Sequence, residues 1–545
     1  MINLGACTKE EAANRPELII GLVSPSGTRL DDLSQRLANE LKSFGYQTID
    51  IRLSDLLVNF SDWKESDGTE YFQKIKHLQE MGNAFRRKLE DKSALARAGI
   101  AAIRAERGHQ SGNPDLPVQA CAYIIRQLKH PAEVDLLHQV YGSSFLLIAG
   151  HAPRELRATL LADKMAREDR KPGEGNRYKS HAYEIITTDE KEDDEYGQHT
   201  TDTYPKADFF ANLGENSGEH QVGRLVELVF GHPFHTPSPE ESAMYQAHAV
   251  SLKSADENRQ VGAAIVHLHV VDKKIRNADV IAVGMNEVPR RGGGFYFMDS
   301  PDPRDQWLAA YAKEDRAKEI KVSALTELIA KIQTKNWLVT DIAEQDASNL
   351  AERLLPDLKG TQFMNIGEFS RPVHAEMAAL IDSARRGVSV NGHTMFVTTF
   401  PCHNCAKHII AAGLRKVVYL EPYAKSRAHN LYKEEIDVDP TPTQSNETGD
   451  DKVVFCAFSG IGPRQYQKFF SMSERGAHKG NSLSQWDADR RCLFPRYISR
   501  NASLAYLQAE YQELSKLPPD LYKWDVQFIC PDNPPQHVSL IPTDS

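Results

Sequence analysis

The stretch that decides the fold of the second half of the chain is HAEMAALIDSARRGVSVNGHTMFVTTFPCHNCAKHIIAAGLRKVVYLEPY, residues 374–423. Its apolar spacing predicts a helix from His374 to Arg386 and another from Cys402 to Ala412. Short apolar runs at Thr394–Thr399 and Lys416–Leu420 predict two strands. Because helices and strands alternate here, the pattern predicts an α/β domain.

Three side chains in this stretch have the chemistry and spacing of zinc ligands: His374, Cys402 and Cys405. Zn²⁺ takes four tetrahedral ligands, and a catalytic site leaves one position for water. The two cysteines stand three residues apart at a helix start, so they lie on one helix face. The positive end of that helix favours the thiolates that zinc needs. These residues therefore predict a zinc site with one open position.

Glu376 lies two residues beyond the histidine, where a carboxylate can stand beside the metal without being a ligand. It can accept a proton from water and pass it to a substrate. The spacing H-x-E followed by P-C-x-x-C is typical of zinc deaminases. The alternatives are a structural zinc clip or two unrelated cysteines. A structural site would need a fourth ligand, and His403 points away from the face that Cys402 and Cys405 share, so we expect catalysis.

With these residues, the second half resembles the zinc cytidine deaminase superfamily, and most closely its deoxycytidylate deaminases. The resemblance covers about residues 240–470. It implies a sheet with helices on both faces and the release of ammonia from C4 of a cytosine nucleotide. It also implies a role for each matching residue: zinc ligation by His374, Cys402 and Cys405, proton transfer by Glu376, a hydrogen bond from Asn286 to the deoxyribose, and base recognition by the backbone at Gly262 and Ala263.

The length of the substrate's phosphate chain stays open, since the long insertion at 287–371 departs from the family pattern. Arg259 is the first candidate for a phosphate contact, because its place matches the family turn. Further candidate cations are Arg290, Arg291, Lys425 and Arg427, with a glycine turn at Gly292–Gly294. The substrate is then dCMP or dCTP. The alternative is a polynucleotide cytosine or adenine deaminase acting on tRNA or single-stranded DNA, which would need a basic groove and stacking aromatics.

The first half is predicted to be a parallel sheet covered by helices, beginning with a strand at Glu17–Val23. It resembles P-loop nucleotide kinases over about residues 17–230, with the turn Ser24–Thr28 at the place of the phosphate loop. The pattern is degenerate, because Thr28 stands at the usual lysine position and Arg29 at the usual Ser/Thr position. We expect Ser24, Gly27, Thr28 and Arg29 to contact a nucleoside triphosphate if the domain senses nucleotide. The alternative is a scaffold that binds none.

A Pro-rich connector at residues 231–239 predicts the boundary between a domain at 1–235 and a deaminase domain at 236–545. Before it, the acidic run Asp189–Glu195 predicts a mobile loop or a solvated helix face. A polar stretch at 434–452 predicts a loop. In the insertion, one helix face is predicted to carry Leu325, Leu328, Ile329 and Ile332, and the tail is predicted to hold a helix with Leu504, Leu507, Tyr511 and Leu514 on one face.

The composition of the 545 residues is that of a soluble globular protein, with 41% hydrophobic and 26% charged residues. No apolar run is long enough for a membrane span, and the first residues do not form a secretory signal. The net charge of −10 argues against unspecific nucleic-acid binding, and seven scattered cysteines suit a reducing cytosol. We therefore expect a cytoplasmic protein.

The pairing of a kinase-like front with a deaminase resembles the large two-domain bacterial deoxycytidylate deaminases of anti-phage defence. That resemblance implies depletion of the deoxycytidine nucleotide pool, which stalls phage DNA synthesis. It also implies self-association into a homo-oligomer, and restraint of the idle enzyme by the front domain or by an inhibitory RNA.

Overall fold

The computed structural model describes most of the chain. The described residues are 15–66, 70–190, 192, 194–214, 218–256, 259–272, 274–290, 292–296, 315–335, 337, 342, 345–358, 361, 363, 372–422, 426–440, 452–471, 490–496 and 505–523.

The first sheet lies in the N-terminal half and is built as predicted from parallel strands. Its members are β1 Leu18–Val23, β2 Gln47–Arg52, β3 Cys121–Arg126, β4 Phe145–His151 and β5 Phe209–Asn212, with β12 Gly460–Ile461 at one edge. The order is β2-β3-β1-β4-β5-β12. The first five strands run parallel, and β12 pairs antiparallel with β5. The sequence pattern did not predict that the chain returns to this sheet after residue 457.

Helices cover this sheet, since its strands connect in parallel through crossovers. They are α1 Leu30–Ser43, α2 Tyr71–Lys88, α3 Ala94–Ser111, α4 Pro131–Tyr141, α5 Arg154–Glu168, α6 Gly175–Glu190 and α7 Gly218–Val229. All six residues of β1 are buried. Leu33, Leu37 and Leu41 of α1 pack into the same core, which confirms the predicted face of that helix.

The second sheet lies in the C-terminal half. Its strands are β6 Gly262–Val271, β7 Lys274–Met285, β8 Thr394–Thr399, β9 Lys416–Glu421, β10 Ile436–Val438 and β11 Val453–Ala457, in the order β10-β11-β9-β8-β6-β7. Strands β8, β9, β11 and β10 run parallel. Consecutive strands β6 and β7 are neighbours, as the predicted hairpin requires. Strand β10 corrects the prediction of a loop over 434–452 at residues 436–438, because Ile436 is buried and pairs with Val453. Residues 441–451 of that stretch lie outside the described residues.

The remaining longer helices are α8 Pro239–Ser251, α9 Asp315–Gln333, α10 Ala347–Leu354, α11 Ala375–Arg386, α12 His403–Ala411 and α13 Ala505–Leu514. In α9, Leu325 and Ile329 are buried against α10, but Leu328 is 50% exposed. The prediction that Leu328 shares the buried face of Leu325 and Ile329 is therefore wrong. The face that packs against α10 is narrow, and Leu328 lies at its side. In α13, Leu507 and Leu514 are buried as predicted, and Leu504 lies outside the described residues.

The acidic segment, defined here as Asp189, Glu190, Glu192, Asp194 and Glu195, is solvated only in part, since Glu195 is exposed and Asp189 is not. Asp189 is fully buried near the end of α6. Asp194 pairs with Arg87 and Glu195 with Lys92, at the C-terminal end of α2 and just beyond it. The prediction of a solvated face is wrong for Asp189, because sequence spacing does not show which elements will pack against a charged residue. Mobility of the segment stays a prediction.

Helix α13 docks on the first half of the chain through buried charges. Glu510 and Arg107 have no exposed side-chain surface and lie 2.7 Å apart, and Arg107 also pairs with Glu17 at 2.9 Å. Buried charges persist only when they are paired. The tail helix is therefore part of the packing of the first half.

The chain divides into two compact units, residues 1–245 with 266–279 and 391–545, and residues 246–265 with 280–390. The predicted division at residue 235 stays a prediction. Among the described residues, no helix is both long enough and apolar enough to cross a membrane.

Candidate metal centre and active site

The three predicted zinc ligands come together in the structure. One ligand atom from each of His374, Cys402 and Cys405 lies within 4.8 Å of the other two. Cys405 is fully buried, and Cys402 is half-buried. One imidazole nitrogen and two sulfurs are a donor set that Zn²⁺ prefers, and three protein ligands leave a fourth position open. The residues present therefore fit the metal that the sequence predicts.

Two helix starts present these ligands. His374 is the N-cap of α11 and Cys402 is the N-cap of α12, both with extended backbone angles. Their carbonyls accept the first helical hydrogen bonds, from Ala378 N and Ala406 N, each at 2.9 Å. Since the N-terminal end of a helix carries partial positive charge, both helices favour thiolate over thiol at this point.

Glu376 lies in the first turn of α11, two residues beyond His374, and its residue surface is only 4% exposed. The helix thus carries a zinc ligand at its N-cap and a buried carboxylate just inside it. This is the arrangement that the H-x-E spacing predicts for a proton carrier beside the metal. The role of Glu376 itself stays a prediction.

A second cluster of possible ligands consists of Glu227, His232 and His235, whose ligand atoms also lie within 4.8 Å of one another. The two imidazole rings stack, with centroids 4.0 Å apart and planes at 29°. His235 Nε2 lies 2.6 Å from the Glu227 carboxylate, so these two groups already contact each other directly. Arg490 lies 3.5 Å from the Glu227 carboxylate and adds a positive charge. This cluster is therefore less suited to a cation than the His374 site.

The long insertion begins and ends at one backbone bridge. Glu287 N donates to Val373 O at 3.3 Å, and Val373 N donates to Glu287 O at 3.0 Å. Asn286 directly precedes this bridge and His374 directly follows it. The two predicted site residues therefore lie next to the point where the insertion leaves and rejoins the domain. Gly284 supports the same geometry, since a Cβ there would overlap the backbone of Ala375 and Ala379. Strand β7 and helix α11 thus approach at backbone distance.

Asn286 is buried, and its amide group holds the turn before β6. Its Oδ1 accepts from Val261 N at 2.7 Å. Its Nδ2 donates to Arg259 O at 2.7 Å and to the Asp256 carboxylate at 3.1 Å. Both amide hydrogens are therefore used, and a sugar hydroxyl can reach this side chain only as a donor to Oδ1. The contact between Asn286 and the deoxyribose stays a prediction. It is limited to a hydrogen bond that a sugar hydroxyl donates to Oδ1.

The other predicted substrate residues lie around the same turn. Gly262 begins β6, where a Cβ would overlap the Ala247 carbonyl of α8, so only glycine fits. Ala263 follows it and is fully buried. Arg259 is exposed at the turn, where its amide donates to Asp256 Oδ1 at 3.4 Å. The contacts of these residues with a substrate stay predictions.

The predicted cations of the insertion are only partly described. Arg290 opens a tight turn in which its amide donates to Gly294 O at 2.9 Å. Gly292, Gly293 and Gly294 have φ of +90°, +96° and +79°, which other residues rarely adopt. Arg427 is the N-cap of a short helix, Ala428–Leu431. Arg291 and Lys425 lie outside the described residues.

The phosphate-loop-like turn lies, as predicted, between β1 and α1. Gly27 has φ of +85°, and the Thr28 hydroxyl donates to Pro25 O at 2.6 Å. Ser24 is buried, and Arg29 is the exposed N-cap of α1. Arg29 is therefore exposed to solvent. The nucleotide contacts predicted for Ser24, Gly27, Thr28 and Arg29 stay predictions.

Sequence reasoning missed the cations that do contact this turn. Lys129 Nζ donates to Ser24 O at 2.7 Å, and Arg157 Nη1 donates to Ser26 O at 3.3 Å. Both residues follow buried strands, β3 and β4, at the carboxyl edge of the sheet. Open parallel sheets bind ligands at that edge. The place of Lys129 and Arg157 just after two predicted strands is therefore the sequence feature that could have identified them.

Comparison with known proteins places a recognised region over the zinc ligands. Residues 237–421 match the family described as "Cytidine and deoxycytidylate deaminase zinc-binding region". The matched region contains His374, Glu376, Cys402 and Cys405. It also contains Asn286 and the turn at Arg259–Ala263.

Individual relatives match over a shorter stretch. Deoxycytidylate deaminase of Enterobacteria phage T2 is 47% identical over 55 residues, which are 10% of this chain and 29% of that protein. ComE operon protein 2 of Bacillus subtilis is 43% identical over 54 residues, 10% of this chain and 29% of that protein. The human deoxycytidylate deaminase is 40% identical over 47 residues, 9% of this chain and 25% of that protein. The chain thus spans less than a third of the length of each relative.

Among solved structures, the dCMP deaminase of cyanophage S-TIM5 in complex with dCMP and dUMP is 17% identical. The match covers 41% of this chain and 98% of that one, with a TM-score of 0.21, which is too low to support a conclusion. The sequence matches carry the comparison. Residues 237–421 are similar to the zinc-binding region of cytidine and deoxycytidylate deaminases.

Proposed function

We propose that this chain is a zinc-dependent hydrolase that deaminates a deoxycytidine nucleotide to the corresponding deoxyuridine nucleotide and releases ammonia. The observation that carries the proposal is the convergence of His374, Cys402 and Cys405 within 4.8 Å, with buried Glu376 in the first turn of the helix that His374 caps. A structural zinc site has no use for a carboxylate at that position.

The proposed reaction replaces the C4–N bond of cytosine with a C4–O bond, and water supplies the oxygen. Zn²⁺ held by the three ligands would act as a Lewis acid and lower the pKa of water toward neutrality. Glu376 would take the two protons that water gives up in turn and deliver one to N3 of the ring and one to the amine, which leaves as ammonia. Asn286 would accept a hydrogen bond from the sugar, and the backbone at Gly262 and Ala263 would hold the base.

The proposal is tested by zinc content and ammonia release in matched variants. We expect Glu376→Gln to keep its zinc and to lose activity by about 10²- to 10⁴-fold, the usual contribution of a proton carrier. His374→Ala and Cys402→Ala should lose zinc and activity together. Asp382→Asn, on the same helix, is the control and should keep both. Zinc loss in Glu376→Gln with retention in His374→Ala would refute the assignment of ligands.

The substrate we propose is dCMP or dCTP, since two of the relatives named above, those of phage T2 and of human, are deoxycytidylate deaminases. Arg259 and Arg290 are the described cations that we assign to the phosphates. Steady-state assays with dCMP, dCTP and CTP, and with single-stranded DNA and tRNA, identify the substrate. Conversion of the polymers alone would replace this proposal with the polynucleotide alternative.

We further propose that the first half is a degenerate P-loop nucleotide-kinase-like domain that regulates the deaminase. Its parallel strand order and the turn after β1 support this. The biological role we propose is depletion of deoxycytidine nucleotides in defence against phage. It would act in the cytoplasm, as a homo-oligomer, with an RNA as a candidate inhibitor. Plating phage on cells that carry wild type or Glu376→Gln tests the role, and equal phage yields would contradict it.

A further inference from the structure

The phosphate-loop-like turn already holds an anion, and the anion belongs to this chain. The Ser26 amide donates to Asp189 Oδ2 at 2.7 Å. Lys129 Nζ lies 2.6 Å from Asp189 Oδ1, and the Asp189 side chain has no exposed surface. A backbone N–H at such a turn and a nearby ammonium are the groups that bind phosphate. Here they bind a carboxylate instead.

The other cation at the turn is also committed to the acidic segment. Arg157 is buried, donates to Ser26 O at 3.3 Å and pairs with Glu190 at 2.8 Å. A phosphate placed at the turn would meet the charges of Asp189 and Glu190. Like charges within a few ångströms in a buried place exclude one another, so phosphate and Asp189 compete for one position.

Both partners in the contact between the Ser24–Thr28 turn and Asp189 are fixed by neighbouring elements. Gly27 packs so closely on α5 that a Cβ would lie 2.5 Å from Arg157 O. Beyond Asp189, the Glu192 carboxylate accepts from Asn83 Nδ2 at 2.9 Å, and Asp194 pairs with Arg87. The turn and the acidic segment are therefore each anchored, and the carboxylate is delivered to the turn by a fixed part of the fold.

We propose that Asp189 is a built-in anion that closes the Ser24–Thr28 turn, and that a polyphosphate binds there only after this carboxylate has left. The ligand class is a polyphosphate anion, free or as part of a nucleoside triphosphate. Wild type then binds no nucleotide at this turn, as in the scaffold alternative. The turn becomes able to bind one only when Asp189 no longer occupies the place of the phosphate. The inference does not depend on the deaminase proposal, because its readout is anion binding by the full-length chain.

Calorimetric titration of the full-length chain with inorganic tripolyphosphate and, separately, with ATP tests this. We expect Asp189→Ala to bind tripolyphosphate roughly 10- to 100-fold more tightly than wild type. A gain of this size corresponds to the free energy of one hydrogen bond to a charged group. Adding Lys129→Ala to that variant should abolish the gain, which places the anion at this turn. Binding of ATP with equal affinity identifies the polyphosphate as the recognised part, and tighter binding of ATP adds a base contact.

Two controls keep the test decisive. Glu195→Gln removes one charge from the acidic segment at a side chain that is 64% exposed and away from the turn, and it should leave the affinity at the wild-type level. Asp189→Asn fills the same volume without the charge, so it serves if Asp189→Ala does not fold, and we expect about tenfold tighter binding. The proposal fails if wild type binds tripolyphosphate as tightly as the Asp189 variants, or if the folded Asp189 variants bind none.

Discussion

At the scale of single residues, the candidate site depends as much on supporting side chains as on the zinc ligands. Asn286 uses its amide to hold the turn that carries Arg259, and Ser254 Oγ donates to the Asn286 carbonyl at 2.6 Å. Buried Glu287 accepts from Ala255 N at 3.0 Å. These polar groups are satisfied by one another, as buried polar groups must be if they are not to destabilise the fold.

Gly284 is the residue whose substitution tests this support most directly. We expect Gly284→Ala to lower the free energy of unfolding by about 1–3 kcal/mol, because its Cβ would overlap the backbone of α11. Gly223→Ala is the matched control, since its nearest atoms lie 3.5 Å or more from the new Cβ. Inside α7, alanine should be neutral or stabilise by up to about 1 kcal/mol. Urea unfolding of both variants measures the difference, and equal stabilities would contradict the close approach.

At the scale of elements, the tail helix α13 is held by charge rather than by its apolar face alone. Tyr506 donates to Glu17 at 3.0 Å, beside the ion pairs of Arg107 with Glu17 and Glu510. Helical spacing predicted Leu507 and Leu514 as the buried face and missed Glu510. A charged residue at a buried position is recognised only when its partner, 403 residues away in sequence, is known.

Removal of the central carboxylate should therefore be costly. We expect Glu510→Ala to destabilise the chain by about 3–5 kcal/mol, because it leaves Arg107 buried with half of its partners gone. Gln508→Ala, exposed on the same helix, should change stability by less than about 0.5 kcal/mol. Guanidinium unfolding compares the two variants. A loss below 1 kcal/mol in Glu510→Ala would show that the cluster is not buried as described.

At the scale of the whole molecule, one carboxylate, whose side chain is only 12% exposed, joins strands of both sheets. Asp439, after β10, lies 3.3 Å from His151 at the end of β4. It accepts from the Tyr419 hydroxyl of β9 at 2.6 Å and from Ala457 N of β11 at 3.0 Å. Burial raises the pKa of Tyr419 well above its usual value, so its hydroxyl stays a donor.

The same contacts set a pH dependence. Burial alone would raise the pKa of Asp439, but His151, Tyr419 and Ala457 N outweigh it and lower the pKa below its ordinary value. The stabilisation is therefore complete above the unfolded pKa of about 3.9 and is lost as pH falls through the lower folded value. We expect unfolding free energy to fall on acidification in wild type, and to fall less in Asp439→Asn. Asp437→Asn is the control and should follow wild type, and identical profiles for all three would contradict the assignment.

Much of the metal centre could be predicted from the sequence, because helix-start positions and i to i+3 spacing bring ligands together locally. The strands and helices around it followed from apolar periodicity for the same reason. The return of residues 460–461 to the first sheet, the burial of Glu510 and the seat of Asp189 in the phosphate-loop-like turn could not be predicted. Each depends on a partner distant in the chain, and such a partner is chosen by how the elements pack together, which local spacing does not encode.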